Sequence, residues 1–456
     1  MASVISWCSS RYLIPKSVIS VSVRRGETWK QRVLKREKIK EQVTEYIGVN
    51  AQRAERVYVW GCAVTGALGI KSYLKPEKNQ IPKLKQSRPA RLKFIDENDI
   101  KVKVAACGYG FTLYYARVPG GYKLFASGIN TDSQLGFHEM PRKSGRILDY
   151  IIEPAVVNLP LQKPESTRIR HLACGRAHSL ILTDEGVFSL GNNAYGQCGR
   201  PVVEEEVYGK NPTINKVSNL PDNISQVVCG QDHSLFISTT GELYSCGLGS
   251  DGQTGLQSYE IVSSPTRVKG DIDGEHIVSA AGKGDCVLAV SDKGDLFGWG
   301  NSEYNQLALV TDHAQENIPR HIPLKNCGKI IRAASGGSIC AILNDAGEVY
   351  VWGYGILGKG PVVDASEAPQ LIPKTLFGQS ELQPDVKVKD IDCGIGHFAA
   401  LTDHGDVFTW GKNREGCLGL GKPGDQFFPL KVSLPAEAHS VSCGVDHMIA
   451  LCRSFS

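Results

Sequence analysis

The chain has 456 residues, of which 49 are glycine and only three are methionine, a composition that favours turn-rich β structure over helices. Its formal net charge of +4 conceals an acidic body, because residues 94–456 carry 31 Lys/Arg against 41 Asp/Glu, a net charge of −10. A body of that sign does not bind phosphate backbones over its general surface.

The fourteen cysteines are scattered, with no C-x-x-C pair and no secretory signal. This distribution favours reduced thiols inside the cell over a disulfide framework. No apolar run approaches the roughly 18–20 residues of a membrane-spanning helix. No spacing indicates a metal site or a cofactor, and no serine, cysteine or histidine arrangement supports covalent catalysis, so we expect no hydrolytic or redox enzyme.

The first 26 residues contain Arg11, Lys16, Arg24 and Arg25, seven serines and no acid. That composition is typical of a mitochondrial transit peptide, although an ordinary disordered basic tail has it too. Residues 27–56 then form a basic extension in which 27–47 is a predicted exposed helix. Its apolar positions are available to a partner or to the inner membrane surface, so we expect a matrix protein associated with that membrane.

The stretch VYVWG, residues 57–61, reads as the second strand of a β-hairpin that lacks its first strand. A basic segment, residues 71–93, follows it with eight Lys/Arg and one acid, and interrupts the first repeat where a loop is expected. Clustered cations release counterions when they bind phosphates, so the segment is a candidate for RNA or another anionic partner; a solvated loop is the alternative. The candidate residues are Lys83, Lys85, Arg88, Arg91 and Lys93.

From Cys107 onward one phrase recurs at spacings of 50 to 67 residues, as in CGRAHSLILTDEGVFSLGNNAYGQCG from Cys174. His178 to Leu182 is a predicted strand, residues 183–186 are a turn, and VFSLG returns as a second strand. A hairpin alone is marginally stable, so successive units must pack against one another, and their spacing suits four-stranded blades.

The last unit begins at Cys443 and ends after its first hairpin strand, His447 to Cys452. The N-terminal VYVWG supplies the missing return strand, and residues 61–69 supply the matching glycine-rich tail. Joining the two ends completes a seventh blade and leaves no sheet edge unpaired at the seam. The sequence therefore predicts an all-β, seven-bladed propeller over residues 57–456, closed by an N-terminal strand.

The pattern C-G-x-x-H, L-T-x-x-G-x-V/L-Y/F-x-W-G and N-x-x-G-Q-L-G resembles the regulator of chromosome condensation family of seven-bladed propellers. The resemblance covers residues 57–456. The family includes guanine-nucleotide exchange factors, an ultraviolet receptor, ubiquitin-ligase modules and scaffolds, so the fold does not fix the function. The receptor needs clustered tryptophans on one face, but here the W-G strands hold them: Trp60, Trp299, Trp352 and Trp410.

Two functions and a less specific third remain in play. The resemblance implies an exchange factor for a mitochondrial GTPase, the dynamin-like fusion GTPase of the inner membrane. It also implies a matrix assembly factor that acts with large-subunit ribosomal RNA and pseudouridine synthases. The third is an interaction scaffold, and DNA is not an expected partner.

Two sets of repeated residues have different expected roles. The repeated histidines and cysteines are expected to be structural, the imidazoles bonding backbone between blades: His178, His233, His397 and His447, with Cys107, Cys174, Cys229, Cys393 and Cys443. The resemblance places acids of the C-G-x-D-H position towards a GTPase, and local turn bonding is the alternative: Asp232, Asp285 and Asp446.

Deletion of residues 1–26 should leave a folded protein that no longer reaches mitochondria, because these residues carry the expected import signal. Fluorescence microscopy of tagged full-length and truncated chains checks the location, and thermal unfolding of both checks the fold. Mitochondrial targeting by the truncated chain would contradict the assignment.

Overall fold

The computed structural model describes residues 53–76, 80–139, 146–206 and 211–455. The expected import segment and most of the expected basic extension lie outside these residues. Seven four-stranded antiparallel sheets make up the unit Arg53–Phe455. The innermost strands of all seven sheets line one central channel of about 320 Å³. The predicted all-β, seven-bladed propeller is confirmed.

The chain starts within blade 7 and then runs through blades 1 to 3, each built from the axis outward. The first elements are β1 (Glu55–Cys62), α1 (Lys71–Leu74), β2 (Lys85–Arg91) and α2 (Lys93–Glu97). Blade 1 consists of β3 (Lys101–Cys107), β4 (Phe111–Val118), β5 (Gly121–Ile129) and β6 (Tyr150–Val157). Blade 2 consists of β7 (Ile169–Cys174), β8 (His178–Thr183), β9 (Gly186–Gly191) and β10 (Asn215–Lys216). Blade 3 consists of β11 (Ile224–Cys229), β12 (His233–Ser238), β13 (Leu243–Gly247) and β14 (Val262–Arg267).

Blades 4 to 6 repeat this order, and blade 7 combines both ends of the chain. Blade 4 consists of β15 (Ile277–Ala281), β16 (Cys286–Ser291), β17 (Leu296–Asn301) and β18 (Gln315–Ile322). Blade 5 consists of β19 (Ile330–Ser335), β20 (Ile339–Asn344), β21 (Val349–Tyr354) and β22 (Ala365–Leu371). Blade 6 consists of β23 (Val388–Cys393), β24 (His397–Thr402), β25 (Val407–Gly411) and β26 (Gln426–Lys431). Blade 7 consists of β27 (Glu437–Cys443), β28 (His447–Arg453), β1 and β2. Short 3-10 helices lie outside the strands, at Glu204–Glu206, Lys374–Phe377 and Arg414–Gly416.

The two ends of the chain close the ring by strand pairing. β1 and β28 pair antiparallel in unbroken register, from Glu55 opposite Arg453 to Gly61 opposite His447. The N-terminal region supplies two strands of the blade, because β2 pairs with the outer side of β1. The expectation that residues 71–93 are a loop is therefore wrong for Lys85–Arg91, which is the fourth strand of blade 7.

Fourth strands are the exposed edges of the blades, and they share a proline. Proline has no N–H to offer a neighbouring sheet, so on an edge strand it blocks pairing with another chain. β2 follows this rule and adds lysine and arginine, which also protect an edge. Six of the seven fourth strands contain the residue: Pro89, Pro154, Pro265, Pro319, Pro369 and Pro429.

Tryptophans of the W-G strands join neighbouring blades. The indole Nε1 of Trp60 donates to Cys417 O at 2.7 Å, that of Trp299 to Gln253 O at 3.0 Å, and that of Trp352 to Gln306 O at 2.7 Å. Each acceptor lies in the glycine-rich tail of the preceding blade. All four tryptophans of these strands are at most 1% exposed, so none is available on a face.

Each blade presents two ends, which we name for the rest of the description. The Cys-Gly face carries the loops between first and second strands and between third and fourth strands, and the hairpin face carries the turns between second and third strands. No helix among the described residues is long and apolar enough to cross a bilayer.

Replacement of Gly61 by alanine should destabilise the seam strongly. Gly61 has φ +107°, and a Cβ there would lie 2.3 Å from Asp446 O and 2.5 Å from His447 Cα. Gly274→Ala is the matched control, because φ is +83° but no heavy atom lies within 4 Å of the added carbon. We expect a loss of about 1 kcal/mol in the control and at least about 3 kcal/mol in Gly61→Ala, measured by denaturant unfolding. Equal losses would contradict the role of the close contact.

Candidate functional site

The Cys-Gly loops are built around a contact between glycine and the imidazole of the same phrase. A Cβ on Gly175 would lie 2.4 Å from Cε1 of His178, and one on Gly394 would lie 2.3 Å from Cε1 of His397. Burial lowers the pKa of three of the four buried rings, to about 3 for His178 and about 4 for His233 and His397. At His447 burial is outweighed by Cys107 and Asp446, which raise the pKa to about 9. The glycine of C-G-x-x-H is therefore required by the ring that packs over it.

The histidines link blades, but through hydroxyl groups and not through backbone as expected. Nε2 of His178 lies 3.0 Å from Ser234 Oγ, and Nε2 of His447 lies 2.8 Å from Thr112 Oγ1, each in the next blade. In the blade after His233 the equivalent position is Val287, and in the blade after His397 it is Met448. Neither side chain has a hydroxyl group, so Nε2 of each of these two histidines has no partner. Among the described residues, no group of three or more His, Cys, Asp or Glu could hold a metal ion.

Asp232 binds across a blade boundary instead of within its own turn. Nε of Arg176 donates to its Oδ1 at 3.2 Å, and Nη2 lies 2.6 Å from Oδ2, so the pair is bidentate. Asp232 is only 6% exposed, and burial raises the pKa of its carboxyl although Arg176 opposes the shift. Sequence reasoning missed Arg176, which stands in the first variable position of the preceding blade's C-G-x-x-H phrase.

Asp285 uses the same kind of cross-blade contact in the next blade. Nε2 of Gln231 donates to its Oδ2 at 2.8 Å, and Nε2 of Gln253 donates to its Oδ1 at 3.3 Å. Burial, with Asp251 and Asp232 nearby, raises the pKa of Asp285 to about 6 from its ordinary value of 3.8. The carboxyl group of Asp285 is thus bound by two neutral amides, and no cation is in contact with it.

Asp446 does not join the other two acids. Its Oδ1 lies 3.5 Å from Nδ1 of His447, the next residue, so the expectation of local bonding fits this position alone. Burial opposes ionisation of Asp446, but the contact with His447 holds the pKa of the carboxyl below its ordinary value. Asp232 and Asp285 lie in adjacent blades 3 and 4, whereas Asp446 belongs to blade 7.

A cleft of about 580 Å³ opens beside Asp232, where blades 1, 2 and 3 meet on the Cys-Gly face. We call it the acidic cleft, because its lining includes Asp132 and Asp232, with Tyr109, Arg176 and Tyr195. Nδ2 of Asn192 donates to Asp132 Oδ1 at 3.0 Å. Its carboxylates suit a cationic or hydrogen-bond-donating surface of a partner.

A lysine closes the channel next to the acidic cleft. Lys283 occupies the position of the glycine in the C-G-x-x-H phrase, and Cys286 occupies the position of the histidine. Cysteine is smaller than histidine, so Cys286 leaves room for the Lys283 side chain. Its Nζ donates to Cys107 O at 2.8 Å across the channel, and the hydroxyl of Tyr109 donates to its carbonyl at 3.3 Å. Burial opposes the charge, but Asp392 offsets it and the pKa of Lys283 is raised.

The five predicted basic residues line the outer edge of blade 7 and are all exposed. Arg91 pairs with Asp96 at 2.6 Å, and Lys83 binds Gln86 and lies 4.8 Å above the Tyr73 ring. Four of the five therefore have no ion pair with a described residue, and three of these four also lack a side-chain partner of any other kind there: Lys85, Arg88 and Lys93.

Asp285→Asn should change the pH dependence of stability. The folded pKa of about 6 lies above the ordinary 3.8, so the folded state holds the proton more tightly and wild-type stability falls as pH rises from about 4 to 6. We expect the variant to gain about 1–3 kcal/mol relative to wild type across this window, measured by denaturant unfolding.

Asp446→Asn is the matched control, because the pKa of Asp446 in the folded protein is below its ordinary value. The stability that the ionised Asp446 carboxylate contributes is therefore lost only when the pH falls below that ordinary value. Its difference from wild type should stay constant between about pH 4.5 and 6. Parallel pH profiles for Asp285→Asn and wild type would contradict the electrostatic account of Asp285.

Comparison with known proteins places these features in a family. The model of the RCC1-like domain matches residues 48–380, and models of the regulator of chromosome condensation (RCC1) repeat match residues 388–417 and 404–451. The RCC1-like G exchanging factor-like protein of Homo sapiens is 51% identical over 418 residues, which cover 91% of this chain and 90% of that protein.

Two further comparisons agree with this assignment. RUG3 of Arabidopsis thaliana, an RCC1 domain-containing mitochondrial protein, is 27% identical over 87% of this chain and 88% of its own length. The crystal structure of human WBSCR16 superposes with a TM-score of 0.82 at 51% identity, over 89% of this chain and all of that one. The chain belongs to the RCC1-like family of seven-bladed propellers.

Proposed function

We propose that the protein is a guanine-nucleotide exchange factor whose GTPase docks on the Cys-Gly face. The observation that carries this proposal is the position of Asp285, a half-buried carboxyl group that two neutral amides bind and no cation contacts. A carboxyl group held at a cost in stability, beside a cleft on an open face, is a candidate functional group. The human relative's name, G exchanging factor-like protein, supports the same activity.

The proposed mechanism is non-covalent. An exchange factor binds the nucleotide-free GTPase more tightly than the nucleotide-bound form, and by linkage it lowers the nucleotide's affinity to the same extent. Asp232, bound to Arg176, and Asp285, bound by two amides, are held in fixed positions from which they can receive donors of the GTPase. Asp446 lies apart from this pair, so we assign it no direct role in displacing nucleotide.

We further propose that the protein works in the mitochondrial matrix at the inner membrane, with a dynamin-like fusion GTPase as substrate. The composition of residues 1–26 and the mitochondrial relative from Arabidopsis support this location. The acidic body supports a protein partner over nucleic acid on most of the surface.

A second candidate function is assembly of the mitochondrial large ribosomal subunit together with pseudouridine synthases. The observation that favours it is the unpaired row Lys85, Arg88 and Lys93 on the outer edge of blade 7. Cations without ion-pair partners can bind RNA phosphates. Protection of the β2 edge by basic residues explains Lys85 and Arg88 without RNA.

Asp232→Asn with Asp285→Asn should lower nucleotide release from the GTPase at least about 10-fold, because both carboxylates lie at the proposed contact. Release of a fluorescent GDP analogue from the purified dynamin-like GTPase measures the rate. Asp345→Asn is the matched control, since Asp345 is exposed in a turn of the hairpin face. Equal rates for the double variant and wild type would contradict the site.

Crosslinking of the tagged protein in intact mitochondria separates the two functions. Bound GTPases and bound RNA are identified from the same sample. Specific ribosomal RNA, lost in Lys85→Glu with Arg88→Glu and found without any GTPase, would favour ribosome assembly over exchange.

A further inference from the structure

A second cleft on the Cys-Gly face differs in character from the acidic cleft. It measures about 310 Å³ and is lined by residues of blades 4, 5 and 6 and by Val445 of blade 7. We call it the tyrosine cleft and define it by six of its lining residues: Tyr304, Tyr354, Ile356, Ile395, Lys412 and Arg414. No acidic side chain lines it.

The cleft exists because blade 5 departs from the repeat. Where blades 2, 3, 6 and 7 carry histidine, blade 5 has Ile339, and the loop before it consists of the small residues Gly336, Gly337 and Ser338. A Cβ on Gly337 would lie 3.0 Å from Cγ2 of Ile395, so a larger residue would crowd the next loop. The small residues of this loop thus leave a space between blades 5 and 6, which forms the bottom of the cleft.

Two tyrosines stand exposed at one wall of the cleft. The rings of Tyr304 and Tyr354 stack with centroids 6.0 Å apart and an interplanar angle of 14°. They are 43% and 51% exposed, so ring area remains in water. Exposed tyrosines beside a concavity are enriched in protein interfaces, because they bury a large area at small entropic cost.

Two cations stand at the opposite wall. Lys412 and Arg414 are exposed, and neither has an ion pair with a described residue. The side chain of Lys412 lies along Gly396, where an added Cβ would be 3.3 Å from Cδ.

We propose that the tyrosine cleft receives an acidic segment of the docked GTPase, with an aromatic side chain against Tyr304 and Tyr354 and neighbouring carboxylates on Lys412 and Arg414. The volume accommodates one aromatic side chain, and the charge complements acids. The inference rests on the proposed docking of a GTPase on this face. The partner would then make two contacts of opposite charge. A cationic or hydrogen-bond-donating surface would bind the acidic cleft, and an acidic segment would bind the tyrosine cleft.

Direct binding tests the cleft without the GTPase. The full chain is labelled with 3-fluorotyrosine, and ¹⁹F resonances of Tyr304 and Tyr354 are assigned from Tyr→Phe variants. The probes are the peptide acetyl-Gly-Asp-Phe-Glu-Gly-amide, its counterparts with lysine for both acids or glycine for phenylalanine, and hexauridylate. The acidic aromatic peptide should shift both resonances with a Kd of about 1 mM or tighter.

Variants make the result specific. Lys412→Glu with Arg414→Glu, and separately Tyr354→Ala, should weaken the acidic aromatic peptide at least about 10-fold, whereas Tyr354→Phe should retain it. Tyr259→Ala is the matched control, because Tyr259 is 48% exposed in blade 3 outside the cleft. Thermal unfolding confirms that each variant is folded.

Several results would overturn the proposal. These are no shift at about 10 mM peptide, equal binding of the lysine peptide, unchanged binding by the charge-reversal variant, or preferential binding of hexauridylate. Nucleotide exchange by the same variants separates the two proposals. Normal exchange with no peptide binding removes only the cleft, whereas peptide binding with no exchange by wild type removes only the proposed function.

Discussion

Closure of the ring is the constraint on which the rest of the structure depends. Each blade packs only against its two neighbours, so a ring with one open joint would expose two apolar blade faces to water. The antiparallel pairing of β1 with β28 removes that joint, and the Trp60 indole then reaches back to the carbonyl of Cys417 in blade 6. Because the N-terminal region also contributes β2, the first and last parts of the chain share one sheet.

Contacts between the loops of neighbouring blades hold the side chains of the candidate site in position. The first variable residue of one C-G-x-x-H phrase reaches the second variable residue of the next, as Arg176 reaches Asp232 and Gln231 reaches Asp285. The most informative residues are those that depart from the repeat. Lys283 replaces a glycine where histidine is absent, and two glycines in blade 5 open the tyrosine cleft. A regular ring would present seven similar ends, whereas this one presents two clefts of different charge.

The energetic character of the site differs from that of the scaffold. Several scaffold polar groups form short hydrogen bonds inside the ring, as the indole N–H of Trp352 does. Asp285 has only two neutral donors, and its raised pKa means that folding favours its protonated form. The ionised form of Asp285 is therefore less favourable in the folded protein than in water.

The sequence by itself determined the hairpin of each blade, the number of blades and the seam, because the repeated phrase and its glycines specify local strand and turn geometry. It did not identify the fourth strands, including Lys85–Arg91, because these edge strands lack alternating apolar residues. The proline that six of them contain, as at Pro89, was the available signal. Only the tertiary structure decided the partners of the acids. Arg176 and Asp232 are 56 positions apart, and their contact arises because packing places loops of adjacent blades side by side. The tyrosine cleft likewise depends on the packing of several blades side by side, which no local pattern encodes.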